Sequence, residues 1–323
     1  MKSKLSVNRL AWKLVEGLCE DPNFYGVKVE KASAGTTIVD AGIKAKGGFN
    51  AGKTITEICM GGCGKAEITF KEYGDLMLPA ISVYTDHPAV ATLGSQFSGW
   101  QAKEGAYSAI GSGPARALAL KPKELYEKIE YSDDFDRAVL VLETEKYPPE
   151  KLLERIAQDC RVSAENLAII LTPTNSVAGA TQISGRVVET GIHKLNKLGL
   201  NPKNILYACG YAPISTIHPK FVYAMARTND AILYGGITYY AVEYDDEERL
   251  KTLLNSAPSK ASKDYGKPFI DIFKQANYDF FKIDPNLFAP AKIVINNVKT
   301  GKTFASGEIN SAALAESFGF MPR

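Results

Sequence analysis

The alternation of short apolar runs with amphipathic segments most constrains how this chain can fold. From Ala138 onward the runs AVLVLE, LAIILTP and ILYACGY are separated by PPEKLLERIAQDC and by a second, longer helical stretch. Short apolar runs of this kind are typical of buried strands, and the segments between them have the 3.6-residue period of helices. Strands that alternate with helices form a sheet with crossover helices. The sequence therefore predicts an α/β fold.

The 323 residues are enough for two α/β domains. The charged segment IEYSDDFDR marks the predicted boundary, with a first α/β domain at 1–132 and a second at 133–323. The second ends in a predicted helix around PFIDIFKQA and a β-hairpin, AKIVINNVKTGKTFASG, and this terminal segment either stays with the second domain or packs on the first. AILYGG is predicted to be a strand.

Composition and charge exclude several classes of protein. Apolar residues make up 45% of the chain and charged residues 23%, which is typical of globular proteins, and the net charge is only +2. We expect no nucleic-acid or membrane partner, because the charge is nearly balanced and no apolar run approaches the roughly 18 residues of a membrane span. The first segment predicts an amphipathic helix rather than a signal peptide, so we expect a cytoplasmic protein.

The cysteines and histidines do not form a metal-binding pattern. The five cysteines are irregularly spaced, and Cys59 and Cys63 are too far apart for a zinc-type CxxC motif. Two of the three histidines, His87 and His218, directly precede proline, which favours extended or turn backbone. We therefore expect reduced thiols in the core and no metal site.

The segment TQISGRVVETGIHK, residues 181–194, carries the main candidate site. On a continuous helix with about 100° per residue, Gln182, Arg186, Glu189 and His193 fall within an arc of about 60°. One interpretation is a solvated polar face with an ion pair worth a few tenths of a kcal/mol. The other is an active site, in which arginine keeps a carboxylate ionised to activate water. The residues alone leave both open.

Two features of this segment favour the active-site interpretation. Gly179, Gly185 and Gly191 each cost up to about 1 kcal/mol relative to alanine in a helix, so we expect a backbone or a ligand to approach closely there. The helix also follows the buried-looking strand LAIILTPTNS, which places its start at the carboxyl edge of the sheet, where ligands bind in α/β folds.

Two glycine-containing segments are further candidates. GSGPAR carries Ser112 and Arg116, which can bind an anion together with backbone N–H groups, or the segment is a plain turn. LGSQFSGW carries Ser95 and Gln96 beside Trp100, a ring able to stack on a heterocycle, or it is a helix end with a core tryptophan.

Long segments of the chain resemble the methenyltetrahydromethanopterin cyclohydrolases. The resemblance rests on TPTNSVAGATQISGRVVETGIHK, HPAVATLGSQFSGW, GSGPARALALKPKELYEKIEY, TNDAILYGGITYY, SKDYGKPF and YDFFKIDPNLFAPAKIVINN. These segments extend over nearly the whole chain. The resemblance implies an enzyme of one-carbon metabolism and methanogenesis that reversibly opens the methenyl bridge of a tetrahydropterin to the N5-formyl compound.

The resemblance also implies an architecture and a set of roles. It implies two α/β domains with a substrate pocket between them, a homotrimer, a small-molecule pterin substrate, and no metal or redox cofactor. Glu189 is then the expected base and Arg186 the group that orients it. The expected substrate-binding residues are Gln182, Ser95, Gln96, Ser112, Arg116 and His193.

Two other functions compete with this hypothesis. The first is a non-catalytic pterin-binding module of the same fold, which would bind substrate without turnover. The second is a metal-dependent amidohydrolase acting on another cyclic amidine, which the scarcity of histidine disfavours.

Overall fold

The computed structural model describes residues 5–320. Its α-helices are α1 (Val7–Glu20), α2 (Pro22–Tyr25), α3 (Phe49–Cys59), α4 (Pro88–Ala91), α5 (Ala115–Ala119), α6 (Lys123–Ile129), α7 (Glu150–Cys160), α8 (Val177–Ser184), α9 (Val187–Lys197), α10 (Phe221–Gly235), α11 (Glu247–Asn255), α12 (Phe269–Gln275) and α13 (Ser311–Phe318). Its strands are β1 (Lys28–Lys31), β2 (Thr37–Asp40), β3 (Gly64–Tyr73), β4 (Leu76–Thr85), β5 (Trp100–Glu104), β6 (Tyr107–Ser112), β7 (Ala138–Glu143), β8 (Leu167–Leu171), β9 (Ile205–Pro213), β10 (Ile237–Val242), β11 (Lys292–Asn297) and β12 (Lys302–Gly307). None of the helices within residues 5–320 is both long enough and apolar enough to cross a membrane.

The described chain forms two compact units, each with a mixed sheet and helices. The first comprises residues 5–65 and 89–182, and the second comprises 66–88 and 183–320. This confirms the predicted class of two α/β domains. The division differs from the predicted boundary between 132 and 133, because β7 and β8 belong to the first unit's sheet while β3 and β4 belong to the second's. The C-terminal helix and hairpin lie in the second unit.

The first unit is built on a six-stranded sheet in the order β1-β2-β8-β7-β6-β5. The central strands β2, β8 and β7 are parallel, whereas β1, β6 and β5 join by antiparallel pairing. Alternate residues of β7 and β8 pack into two separate apolar clusters, one with α7 and one with α1 and α3. Burial on both faces explains why the two strands are continuous apolar runs.

The second unit is built on a six-stranded sheet in the order β12-β11-β10-β9-β4-β3. Strands β10 and β11 are parallel, and β9 pairs antiparallel with both β10 and β4. Strands β11 and β12 form the predicted antiparallel hairpin, with Gly301 in the left-handed region at φ 72° in its turn. Helix α9 contacts β9 and β10, and α10 contacts α12 and α13.

The predicted strand AILYGG is wrong. Ala231–Gly235 form the last turn and a half of α10, and the side chains of Ala231, Leu233 and Tyr234 pack with those of α12 and α13. The run is short and apolar throughout, so its period does not distinguish a strand from the end of a buried helix.

Asp230 joins three helices in the core of the second unit. This residue of α10 is fully buried, and its carboxyl oxygens accept from the backbone N–H of Phe269, the first residue of α12, at 2.9 and 3.0 Å. One oxygen also accepts from Ser317 Oγ of α13 at 2.6 Å. Burial raises the pKa of Asp230 to about 8, although both hydrogen bonds oppose the rise. The carboxyl group is therefore protonated at neutral pH.

We predict that Asp230→Asn changes how the stability of the protein depends on pH. The pKa of Asp230 is about 8 in the folded state and about 3.9 in the unfolded state, so the folded state binds more protons between these values. Wild-type stability should therefore fall as pH rises from about 4 to about 8, and this component is absent in the variant. Thermal unfolding across that range should show the variant gaining stability relative to wild type as pH rises. The same exchange at exposed Asp245 is the control. A constant difference between wild type and Asp230→Asn would contradict the prediction.

Candidate active site

The helical segment that carries the predicted Arg–Glu pair is interrupted between α8 and α9. Arg186 is not helical but precedes α9, with φ −85° and ψ 2°. Its N–H donates to Ile183 O at 2.9 Å, and its carbonyl accepts from Thr190 N at 2.8 Å and from Thr190 Oγ1 at 3.0 Å. The prediction of one continuous helix, and with it the common arc of four polar residues, is therefore wrong. Gln182 belongs to α8, whereas Glu189 and His193 belong to α9.

Because of this interruption, Glu189 lies next to the N-terminus of a helix. Glu189 lies in the first turn of α9, where N–H groups lack helical acceptors and the helix dipole favours negative charge by about 0.3–1 kcal/mol. Glu189 is 6% exposed and Arg186 is 8% exposed. The interpretation of a solvated surface pair is therefore wrong. Buried charged groups are usually paired or hydrogen-bonded, and these two are three residues apart in the chain.

His193 lies one helical turn beyond Glu189. Burial, together with the positive charge of Lys197, lowers the pKa of His193 to about 4. The imidazole is therefore neutral at pH 7, so His193 is a hydrogen-bonding group there and not a cation.

Close packing of the protein on itself explains two glycines of this segment. A Cβ atom on Gly179 would lie 2.0 Å from the carbonyl oxygen of Pro173, and one on Gly191 would lie 2.1 Å from the hydroxyl oxygen of Tyr240. Neither position tolerates a side chain without movement of its neighbours. Of the two expected kinds of close approach, contact with the protein itself and not room for a ligand accounts for these two glycines.

The first unit brings three predicted site residues together around Cys59. The thiol of Cys59, at the end of α3, lies 3.8 Å from Ser112 Oγ and 4.0 Å from Gln182 Oε1. Ser95 Oγ donates to the carbonyl oxygen of Cys59 at 2.6 Å. All four residues are at most 2% exposed. Ser95, Ser112 and Gln182 thus form a buried polar cluster with Cys59, here called the Cys59 cluster.

Sequence reasoning placed Cys59 in the core and missed these contacts. The only signal was its position four residues after Ile55, which indicates the buried face of α3 but not polar neighbours. Within residues 5–320 there is no group of three or more His, Cys, Asp or Glu residues placed to hold a metal ion.

The residues that follow α4, Thr92–Gln96, form a π-helical turn. The N–H of Phe97 donates to the carbonyl of Thr92, five residues earlier, at 2.9 Å. The turn buries the side chains of Ser95 and Gln96 completely. Such turns inside helices are frequent at functional sites.

Arg116 donates hydrogen bonds to backbone carbonyls of this turn. Its Nη1 donates to the carbonyls of Leu93 and Ser95 at 3.2 and 3.1 Å, and its Nε donates to the carbonyl of Lys121 at 2.9 Å. The guanidinium also lies over the rings of Phe97 and Tyr126, at 5.2 and 5.6 Å from their centroids. The side chain is fully buried. These contacts are structural, and substrate binding by Arg116 stays a prediction.

The comparisons with known proteins extend over almost the entire chain. The family model described as Cyclohydrolase (MCH) matches residues 6–318. The chain is 45% identical over 320 residues to the methenyltetrahydromethanopterin cyclohydrolase of Methanothermobacter marburgensis, covering 98% of this chain and 99% of that protein. The chain belongs to the methenyltetrahydromethanopterin cyclohydrolase family. The methenyltetrahydromethanopterin cyclohydrolase of Methanocaldococcus jannaschii is 46% identical over 319 residues, covering 98% of this chain and 99% of that protein. The one from Methanosarcina barkeri is 44% identical over 316 residues, 98% of each chain. The family resemblance is thereby confirmed.

We predict that Arg116→Lys destabilises this cyclohydrolase while retaining the positive charge. A lysine ammonium lacks the planar fork that reaches three carbonyls, so carbonyls of the π-helical turn lose donors at about 1–3 kcal/mol each. Denaturant unfolding should show a lower free energy of unfolding without substrate. Lys123→Arg on exposed α6 is the control and should change stability by less than about 0.5 kcal/mol. Unchanged stability with a raised KM would instead assign Arg116 to substrate binding.

Proposed function

We propose that this chain catalyses the reversible hydrolysis of 5,10-methenyltetrahydromethanopterin to 5-formyltetrahydromethanopterin. Family membership over residues 6–318 supports a hydrolase acting on a cyclic amidine. The relatives that are 44–46% identical over 98% of this chain carry that substrate in their names.

The observation that carries the chemical proposal is the buried Arg186–Glu189 pair at the start of α9. Here a carboxylate lies in the first turn of a helix, three residues from an arginine, and both are largely shielded from water. The helix N-terminus favours the ionised carboxylate, and an ionised carboxylate can accept a proton from water. This arrangement suits a reaction that needs a base and a positioned water.

The substrate supplies its own electrophile. The methenyl bridge is an amidinium-like cation, in which the carbon between N5 and N10 is already electron-poor. In the proposed reaction a water oxygen bonds to this carbon while Glu189 accepts one of its protons. The hydroxyl group now on the bridge carbon then loses its proton as the bond between this carbon and N10 breaks. N10 takes up one proton, and the formyl group remains on N5. One water is consumed and one proton is released overall.

Glu189 then has two functions in the proposal. It accepts the proton of the attacking water, and its negative charge complements the cationic ring before water adds. Arg186 is the proposed orienting group. As a permanently charged neighbour that precedes Glu189 by one turn, it favours the ionised carboxylate between turnovers.

The proposed substrate-binding residues Gln182, Ser95, Gln96 and Ser112 remain predictions. Their hydroxyl and amide groups both donate and accept hydrogen bonds, which suits the mixed donor and acceptor edges of a pterin. The neutral imidazole of His193 has the same capacity.

We also propose a homotrimer that acts in the cytoplasm, in one-carbon metabolism and methanogenesis. Similarity to proteins of methanogenic archaea over nearly the whole chain supports this setting. The mass of one chain is 35.1 kDa, so light scattering of the purified protein should give about three times this value.

We predict that Glu189→Gln lowers kcat by about 10²–10⁴-fold, the usual contribution of general base catalysis. Glutamine keeps the shape of the side chain but cannot accept the proton. The loss of methenyl absorbance as the ring opens measures turnover, and thermal unfolding verifies that the variant is folded. A fully active Glu189→Gln variant would show that Glu189 is not the base.

The same assay distinguishes the alternative function. If wild-type protein binds the methenyl compound tightly without turnover, the chain is a pterin-binding module and not an enzyme. Turnover in the wild type, with its loss in Glu189→Gln, supports the cyclohydrolase.

We further propose that the reaction requires no metal or redox cofactor, because the bridge carbon is already electrophilic. We predict that prolonged dialysis against EDTA leaves kcat unchanged within error. A rate that falls on dialysis and returns with an added divalent metal would instead support a metal-dependent amidohydrolase.

A further inference from the structure

Tyr240 makes a buried hydrogen bond to the turn that carries Glu189. It lies in β10, is fully buried, and its hydroxyl donates to the carbonyl oxygen of Val188 at 2.9 Å. Val188 directly precedes Glu189 in the first turn of α9. A residue of the sheet thus contacts the backbone next to the proposed base.

Gly191 allows this contact. A Cβ atom at position 191 would lie 2.1 Å from the hydroxyl oxygen of Tyr240, far inside any permitted separation, but 3.1 Å from Cζ of the ring and 3.2 Å from Cγ of Pro290. The severe conflict therefore involves a single atom, the Tyr240 hydroxyl oxygen. Glycine is unfavourable inside a helix, and this close approach gives a physical reason for its presence here.

We propose that Tyr240 is a positioning residue for the cyclohydrolase reaction, and that its hydrogen bond to Val188, which Gly191 allows, sets the position of Glu189. The inference rests on the proposed function, since it gives Glu189 the role of base. Tyr240 acts through the backbone of α9, so its contribution is to the geometry of proton transfer. Such geometry matters because a displacement of about 1 Å can cost about 100-fold in rate.

The chemistry of Tyr240 suits this role. Burial raises the pKa of its hydroxyl far above the usual range, and the negative charge of Glu189 raises it further. The hydroxyl is therefore a neutral, permanent donor.

The first test compares two buried tyrosines of the second unit. Tyr240→Phe removes only the hydroxyl that contacts α9. Tyr234→Phe is the matched control, because Tyr234 is equally buried and its hydroxyl donates to the backbone carbonyl of Lys267. We expect both variants to unfold at lower temperature than wild type. We expect kcat to fall about 10-fold in Tyr240→Phe with KM within about 2-fold, and both constants to stay near wild type in Tyr234→Phe.

The second test uses the conflict at Gly191. Gly191→Ala should lower both the unfolding temperature and kcat, because the new Cβ displaces the Tyr240 hydroxyl. In the double variant Gly191→Ala/Tyr240→Phe the hydroxyl is absent, and the remaining contacts at 3.1 and 3.2 Å need only small shifts. We expect the double variant to unfold at a higher temperature than Gly191→Ala alone, which is the opposite of additive losses.

Each result decides the inference. Equal kcat in Tyr240→Phe and Tyr234→Phe would overturn the positioning role even if both are destabilised. Additive destabilisation in the double variant would overturn the role of Gly191. The proposed function fails separately, by absence of turnover in the wild-type protein, so the two failures cannot be confused.

Discussion

The interruption of the helical chain between Ser184 and Val187 determines the chemistry available to the second unit. A continuous helix would place Glu189 in mid-helix, where the backbone N–H groups are already bonded to carbonyls and the helix ends are distant. Because α9 begins anew at Val187, Glu189 lies in a first turn, where N–H groups have no acceptor within the helix and the helix dipole favours negative charge. These features stabilise a carboxylate that is only 6% exposed. The position of the break therefore matters more than the spacing of the polar residues.

The first unit also contains an irregular helical segment. The π-helical turn at Thr92–Gln96 disrupts ordinary helical bonding, and its carbonyls need donors from elsewhere. Arg116 supplies donors to Leu93 and Ser95, the Tyr126 hydroxyl donates to Gly94 at 2.9 Å, and the N–H of Gly113 donates to Ser95 at 2.9 Å. These bonds leave the side chain of Ser95 available for Cys59 and so for the Cys59 cluster. Both units thus combine a helix irregularity with buried polar side chains.

The regular elements were predictable because their patterns are local. Strands β7 and β8 and helix α7 appear where the apolar runs and the helical period indicate them. The antiparallel hairpin β5–β6 was missed, since its Ala and Gly residues have low strand propensity and it joins the sheet through the long-range pairing of β6 with β7. The domain boundary was missed for the same kind of reason. Long-range pairing decides which sheet a strand joins, and no local pattern records it.

The candidate site was predictable in its residues but not in its geometry. Arg186 and Glu189 were identified from their spacing and from family resemblance, yet the break between them and Gln182 depends on tertiary packing. The glycines show why. Gly179 and Gly191 have the same local signal, and the structure assigns them to two different contacts, a backbone carbonyl of Pro173 and the hydroxyl of Tyr240. The sequence shows where glycine occurs, but it does not show which neighbouring atom fills the space that a side chain would take.

The titratable groups next to Glu189 in α9 and β10 bear on its proposed role as a base. His193, four residues after Glu189, is held neutral because burial lowers its pKa to about 4, and Tyr240 is held neutral because burial raises its pKa. Two titratable neighbours therefore keep their charge state across the pH range in which proteins usually work, while each still offers hydrogen bonds. A charged neighbour in either place would change the basicity of Glu189 by Coulomb interaction at low dielectric. Arg186, three residues before Glu189, is permanently charged, so its Coulomb effect on this turn does not change with pH.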